Sequence, residues 1–292
     1  MKVSLWPNLS HPAGEVLEIA RQADATGWHG VWLADHYMPN SNDAEPLPGD
    51  MHEVFGLLPA VAAVTERVRV GTLVSPTSIH HPALLANRAS TIDHVSDGRM
   101  VLGIGAGWQL NEHAAYGFDL ESRVSRFEEA IQIVRSLLDQ PRTSFAGRFY
   151  AIADAPCDPK PLQHPLPILV GAKGPRMLRI TARHADEWNA WGDADTAAGL
   201  RRQLLAACEA VGRDPATIRT STNALIVLGD APPPPGRAAL TGSPQQIVDQ
   251  LGRIAEAGYD EFIVPDWNLG ATLSERSENV ARLKAEVVDQ LA

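Results

Sequence analysis

Short apolar runs alternate with amphipathic segments along the whole chain, and the pair recurs eight times. Strands are predicted over residues 3–6, 30–33, 68–74, 100–104, 167–170, 186–190, 218–228 and 261–264. Helices are predicted over 12–26, 51–66, 82–94, 122–138, 176–184, 196–211, 243–257 and 273–291, with Pro59 a place where the second can kink. The periodicity carries these assignments: Val16, Ile19, Ala20 and Ala23 share one helical face, as do Phe127, Ala130, Ile131, Val134 and Leu138. Gly27, Gly212 and Gly258 follow helices as stop signals, and Pro82 opens one. A strand that returns to its neighbour through a helix pairs with it in parallel. Eight such units in 292 residues match a (β/α)8 TIM barrel. An open doubly wound sheet is the alternative. Residues 144–150 read as a small hairpin inserted after the fourth unit, and 156–167 as a Pro-rich surface crossing. No shift in composition marks a linker, so a single domain over 1–292 is expected.

Composition narrows the function. A hydrophobic fraction of 45% can fill a large core. The net charge of −10 and a pI near 5.4 oppose nucleic acid and anionic lipid as partners. Two cysteines at no short spacing, Cys157 and Cys208, suit a reducing compartment and neither a disulfide framework nor a zinc knuckle. Residues 1–6 read directly as a strand without a signal-peptide core, and no apolar run reaches the ~18–20 residues that span a bilayer. A soluble cytoplasmic protein is expected.

In parallel α/β folds the chemistry sits at the carboxyl ends of strands. Asp35-His36 stand just past the second strand, followed by a Pro- and Asn-rich loop over 37–50 that is long for a βα turn. A histidine there can donate or accept a proton near neutral pH; alternatively Asp35 caps the loop and His36 is a spacer. Gly103-Ile104-Gly105-Ala106-Gly107-Trp108 is not a dinucleotide fingerprint, because Trp108 replaces the third glycine and this is the fourth strand. A Gly-rich strand end in a barrel lets a planar ligand approach the backbone, and tight strand–helix packing explains it equally well. Gly171-Ala172-Lys173-Gly174-Pro175 opens a helix after the fifth strand; its free N–H groups and Lys173 suit a phosphate, while an ordinary βα turn explains it equally well. His80 and His81 are adjacent, have no third ligand at a metal spacing, and predict no metal site. Trp6, Trp108, Trp191 and Trp267 lie near strand ends and could line an aromatic pocket.

Taken together these pieces resemble the luciferase-like monooxygenase superfamily, and most of all its coenzyme F420 branch. The carriers are Ala34-Asp35-His36-Tyr37-Met38-Pro39, Val70-Gly71-Thr72-Leu73-Val74, Ser96-Asp97-Gly98-Arg99, Leu102-Gly103-Ile104-Gly105-Ala106-Gly107-Trp108, Arg126-Phe127-Glu128-Glu129-Ala130, Phe145-Ala146-Gly147-Arg148-Phe149-Tyr150, Pro159-Lys160-Pro161 and Ala185-Asp186-Glu187-Trp188-Asn189. They span nearly the whole chain in the family's order. The resemblance implies a deazaflavin or flavin ring at the carboxyl face, with its phosphate on the Gly171 to Pro175 turn. Asp35 and His36 would lie beside the ring, with His36 facing the substrate as the acid–base group. Gly105, Ala106, Gly107 and Asn111 would flank the cofactor, as would Thr72, Leu73 and Val74 at a bulge with a non-prolyl cis bond between Leu73 and Val74. It also implies a homodimer. Asn40 and Trp108 stand where the sugar-phosphate dehydrogenases of this branch have tryptophan and glutamate, so sugar-phosphate oxidation is not expected. The expected function is a coenzyme F420-dependent oxidoreductase acting on a small or medium organic substrate. An FMN-dependent monooxygenase is the alternative, and a cofactor-binding barrel without catalysis a second one.

Overall fold

The computed structural model describes residues 1–291. Its centre is a closed ring of eight parallel strands: β1 (Lys2–Trp6), β2 (Gly30–Leu33), β3 (Arg69–Thr72), β4 (Met100–Gly105), β5 (Ile168–Gly171), β6 (Glu187–Trp191), β7 (Arg219–Asn223) and β8 (Glu261–Pro265). The ring closes where β1 pairs with β8 from Lys2↔Glu261 to Trp6↔Pro265, and β3 meets β4 at Val70↔Met100. An open sheet is thereby excluded, and the barrel expected from eight repeats is the fold. Around it stand α1 (Ala13–Thr26), α2 (Val54–Ala63), α3 (Pro82–Val95), α4 (Leu110–Tyr116), α5 (Arg123–Asp139), α6 (Pro175–His184), α7 (Ala194–Val211), α8 (Pro244–Glu256) and α9 (Leu273–Glu286). None of the described helices is long and apolar enough to cross a membrane.

Local chemistry sets the helix ends. Asp193 with Thr196, Ser243 with Gln246 and Thr272 with Glu275 form reciprocal capping boxes at the starts of α7, α8 and α9. Apolar stripes of these helices pack on the outer faces of the strands as one continuous core. A second, smaller core fills the barrel itself, where Trp6, Trp32, Leu73, Val101, Leu169 and Ile263 interlock. The barrel floor is polar. Arg69 pairs with Glu187 and lies 3.5 Å from Glu261, while Trp32 Nε1 donates to Glu261 at 2.8 Å and Ser4 Oγ donates to it at 2.5 Å. This cluster joins five strands and closes the amino-terminal end.

Several elements depart from expectation. The predicted strand 68–74 stops at Thr72; the bond between Leu73 and Val74 is cis, as expected, and Ser75–Pro76 then pairs with Ile104 and Gly105. The predicted long strand 218–228 breaks at Ala224: Leu225–Leu228 leaves the barrel and pairs in parallel with Ala239–Gly242, which the sequence pattern did not mark. Both halves are β-prone, and local pattern cannot say where a strand changes partners. The second helix begins at Val54 because the Glu53 side chain accepts from Gly56 N–H and caps it. The final helix ends at Glu286, short of the expected 291, and α4 was not expected because seven residues are too few to display a period. The inserted hairpin is present as the antiparallel pair Thr143–Ala146 and Ala151–Ala155, with its loop tied to α5 through Glu129, which accepts from the N–H groups of Arg148, Phe149 and Tyr150.

Candidate active site

A cavity of about 930 Å³ opens at the carboxyl ends of the barrel strands. The ends of β4 and β5, which contribute Gly105, Ala106, Gly107, Gly171, Ala172, Lys173 and Gly174, form one side, and Leu73 and Val74 from the bulge after β3 bed into it. A Cβ on Gly105 would lie 2.9 Å from Val74 Cγ2, and one on Gly171 3.0 Å from the same atom. Only glycines let Val74 sit this low, leaving a smooth backbone wall. Gly107 has φ +91°, and a Cβ there would lie 2.1 Å from Ser78 Oγ, so this turn also requires glycine. Lys173 stands in the turn ahead of α6; burial lowers its pKa, opposed by the Asp193 carboxylate.

The opposite side is aromatic. Trp6 ends β1, Trp191 ends β6 and Trp267 follows β8. The rings of Trp191 and Trp267 stack at 5.7 Å between centroids, and Trp6 meets Trp267 edge-on at 5.0 Å. With Trp108, these are the four tryptophans the sequence marked for an aromatic pocket, and all four line the cavity.

Between the two sides stands His36. Its Nδ1 lies 3.0 Å from Oε1 of Glu112, whose other oxygen accepts from Tyr37 N–H at 3.0 Å. Glu112 is fully buried. A carboxylate can only accept, so in the neutral imidazole Nδ1 carries the hydrogen and Nε2 keeps its lone pair. Trp108 meets the imidazole edge-on at 5.6 Å and restrains its rotation. The segment before Glu112 holds the loop in place: Asn111 Nδ2 donates to Pro39 O at 3.0 Å, Gln109 Nε2 to Met38 O at 3.2 Å, and Asn111 Oδ1 accepts from Glu112 N–H.

Asp35, Thr72, Asn111 and Pro175, also marked by the sequence, lie outside the cavity lining. Asp35 turns to the opposite face from His36, as alternation along an extended segment requires, but its partner is His80 Nε2 at 2.7 Å and not a polar atom of the cavity. Arg88 donates to His80 Nδ1 at 3.1 Å, which places the His80 hydrogen on Nε2, towards Asp35. Thr72 Oγ1 donates to Gly103 O at 2.7 Å and ties β3 to β4. Asn111 serves the loop clamp described above, and Pro175 faces an outer groove between α6 and α7. The sequence pattern did not mark Glu112, Arg123 or Arg237, all in the lining. For Glu112 the available signal was a carboxylate next to Asn111, just past the Gly-rich strand end. Among the described residues no group of His, Cys, Asp and Glu is arranged to hold a metal ion.

A (β/α)8 barrel with a carboxyl-end cavity, a glycine wall and a histidine–carboxylate pair belongs to the class of α/β barrels whose site lies at the carboxyl ends of the strands. The profile of one family in that class, described as luciferase-like monooxygenase, matches residues 1–233, and this chain belongs to that family. It is 30% identical over 262 residues to the F420-dependent hydroxymycolic acid dehydrogenase of Mycobacterium tuberculosis, covering 86% of this chain and 71% of that protein. It is 33% identical over 176 residues to the F420-dependent glucose-6-phosphate dehydrogenase of Amycolatopsis mediterranei; that match covers 59% of this chain and spans only 51% of the relative's length. The fold is shared with the coenzyme F420 dependent tetrahydromethanopterin reductase of Methanopyrus kandleri at a TM-score of 0.83 and 14% identity, over 100% of this chain and 99% of that one.

Proposed function

We propose that this chain, folded as one barrel domain, is a coenzyme F420-dependent oxidoreductase that moves a hydride to or from a small or medium organic substrate. The observation that carries the reading is the His36–Glu112 pair, set between a backbone wall and an aromatic wall in one cavity. The residues fit the cofactor. The wall at Gly105, Gly171 and Val74 is the smooth surface a flat ring needs. Ala172 N–H is taken by Asn189 O at 3.1 Å, so the turn presents the N–H groups of Lys173 and Gly174 ahead of α6, with the Lys173 side chain beside them and open space over Gly174, as a phosphate requires. The bound deazaflavin would supply the hydride-exchanging carbon. Leu73, Val74, Gly105, Ala106 and Gly107 would hold the ring, and Gly171, Ala172, Lys173 and Gly174 the phosphate. Asp35, Thr72, Asn111 and Pro175 would act at one remove, by fixing the segments that line the cavity. His36 Nε2 would take a proton from the substrate oxygen in oxidation, or return it in reduction, with Glu112 holding the ring and balancing its charge. The F420 dependence named for both relatives supports this choice of cofactor.

The test is a parallel titration of the purified protein with coenzyme F420 and FMN, followed by fluorescence. Saturable binding of coenzyme F420 at lower concentration than FMN is the expected result. FMN binding at micromolar levels without coenzyme F420 binding would overturn the reading in favour of an FMN-dependent monooxygenase. We further propose a cytoplasmic location, in keeping with two free cysteines, and a homodimer, for which the apolar Leu84 and Val95 exposed on α3 are a contact.

A further inference from the structure

The cavity is lined by three cations, Arg123, Lys173 and Arg237, and by one acid, Glu112, which is already committed to His36 and Tyr37. Arg123 opens α5 after β4, and Lys173 follows β5, so both stand on the phosphate side. Arg237 stands apart from them. Its guanidinium carbon lies 5.2 Å from the centre of the Trp267 ring and 5.8 Å from that of Trp191, on the aromatic side. No carboxylate lies within salt-bridge distance of it among the described residues, and none of their hydrogen bonds uses its side chain. A guanidinium stacked on indoles uses its flat face and keeps its N–H edge free to donate.

Four prolines restrict the loop ahead of Arg237. Pro232, Pro233, Pro234 and Pro235 precede Gly236, and Ala239–Gly242 then pairs with Leu225–Leu228. Proline restricts the backbone before any ligand binds, so the arginine is presented at the mouth at little further entropic cost. A free bidentate donor beside a tryptophan wall is the recognition chemistry for an oxyanion attached to an apolar body.

We propose that the substrate carries an anionic group, a carboxylate or a phosphate, which pairs with Arg237 while its apolar or aromatic body lies on Trp6, Trp191 and Trp267. This rests on the reading above, in which His36 faces the substrate. It also assigns two separate anion sites: the turn at Lys173 for the cofactor and Arg237 for the substrate.

Isothermal calorimetry on the full chain, with and without coenzyme F420, tests it with three probes: 3-phenylpropionate, its neutral amide and inorganic phosphate. The acid is expected to bind at least about tenfold more tightly than the amide, because one hydrogen bond is charge-assisted. Arg237→Gln should bring the two to equal affinity while amide and coenzyme F420 binding stay unchanged. Trp267→Leu should weaken acid and amide together. Equal binding of acid and amide by the unaltered protein, or an acid preference that survives Arg237→Gln, overturns the proposal. Inorganic phosphate binding as tightly as 3-phenylpropionate would remove the apolar body from it. The coenzyme F420 titration is read separately: its failure with the acid preference intact sinks the cofactor reading alone, and the reverse outcome sinks this one alone.

Discussion

His36 and Glu112 are 76 positions apart in the chain and 3.0 Å apart in space. His36 could be singled out because it stands where an apolar strand ends, which is where barrel enzymes place reacting groups. Glu112 had only its place beside Asn111 after the Gly-rich strand end to mark it, because a seven-residue helix does not show which of its carboxylates is buried. The pair leads to a double prediction. His36→Ala should keep coenzyme F420 affinity within about tenfold and lose about a hundredfold or more in turnover. Glu112→Gln retains an acceptor for Tyr37 N–H but not the charge behind the imidazole, and should lose about tenfold or more in turnover at near-normal cofactor affinity. Single-turnover rates and binding on one preparation check both; a cofactor-loaded His36→Ala enzyme turning over normally would end the acid–base assignment. Gly107 is a structural counterpart. Alanine there combines an unfavourable φ of +91° with a contact of 2.1 Å to Ser78 Oγ. Gly107→Ala should cost about 1–3 kcal/mol, read as a lowered melting temperature.

At the level of elements, the residue just past the end of β8 has unusual titration. Burial pushes the Asp266 carboxyl up to about 7 from an ordinary 3.8, against the opposing Asn8 N–H and Arg276. Its Oδ1 accepts from Asn8 N–H at 2.8 Å and lies 3.8 Å from His11 Nε2. The folded state therefore holds this proton more tightly than the unfolded chain. The stability it contributes is complete below about pH 4 and is lost as pH rises through about 7. Asp266→Asn lacks that loss, so its melting temperature relative to the unaltered protein should climb steadily between those two pH values. A constant difference across the range would refute the linkage. The start of α8 gives a simpler case, since Ser243→Ala removes one half of a capping box and should cost about 1 kcal/mol in denaturant unfolding. The elements themselves were mostly legible, because amphipathic periodicity records which face is buried. Beside the short α4 and the added strand Ala239–Gly242, the interrupted third strand and the divided seventh were not, and these two depend on which neighbour each backbone group meets.

For the whole molecule, the polar floor is where closure of the barrel can be tested. Arg69 serves Glu187 on β6 and Glu261 on β8, and Glu261 also receives Trp32 from β2 and Ser4 from β1. Arg69→Leu would leave two buried carboxylates without their cation and should destabilise by about 3–5 kcal/mol in urea unfolding. An unchanged midpoint would mean that the floor contributes nothing to closure. Assembly is a separate question, checked by light scattering: a mass near 31.5 kDa at micromolar concentration would count against the proposed homodimer.

The repeat of strand and helix determined eight parallel strand–helix units by itself, because each unit must bury one face and parallel strands need crossovers; the pairing of β1 with β8 decided that they close into a barrel. The same local logic located the glycine wall, the Lys173 turn, His36 and the four tryptophans, since barrel sites gather at strand ends. Tertiary structure alone decided that Asp35 would turn to His80, that Glu112 would stand behind His36, and that Arg237 would lie on Trp191 and Trp267. These are contacts between distant segments, set by how the closed ring places its loops, and no period in the chain encodes them.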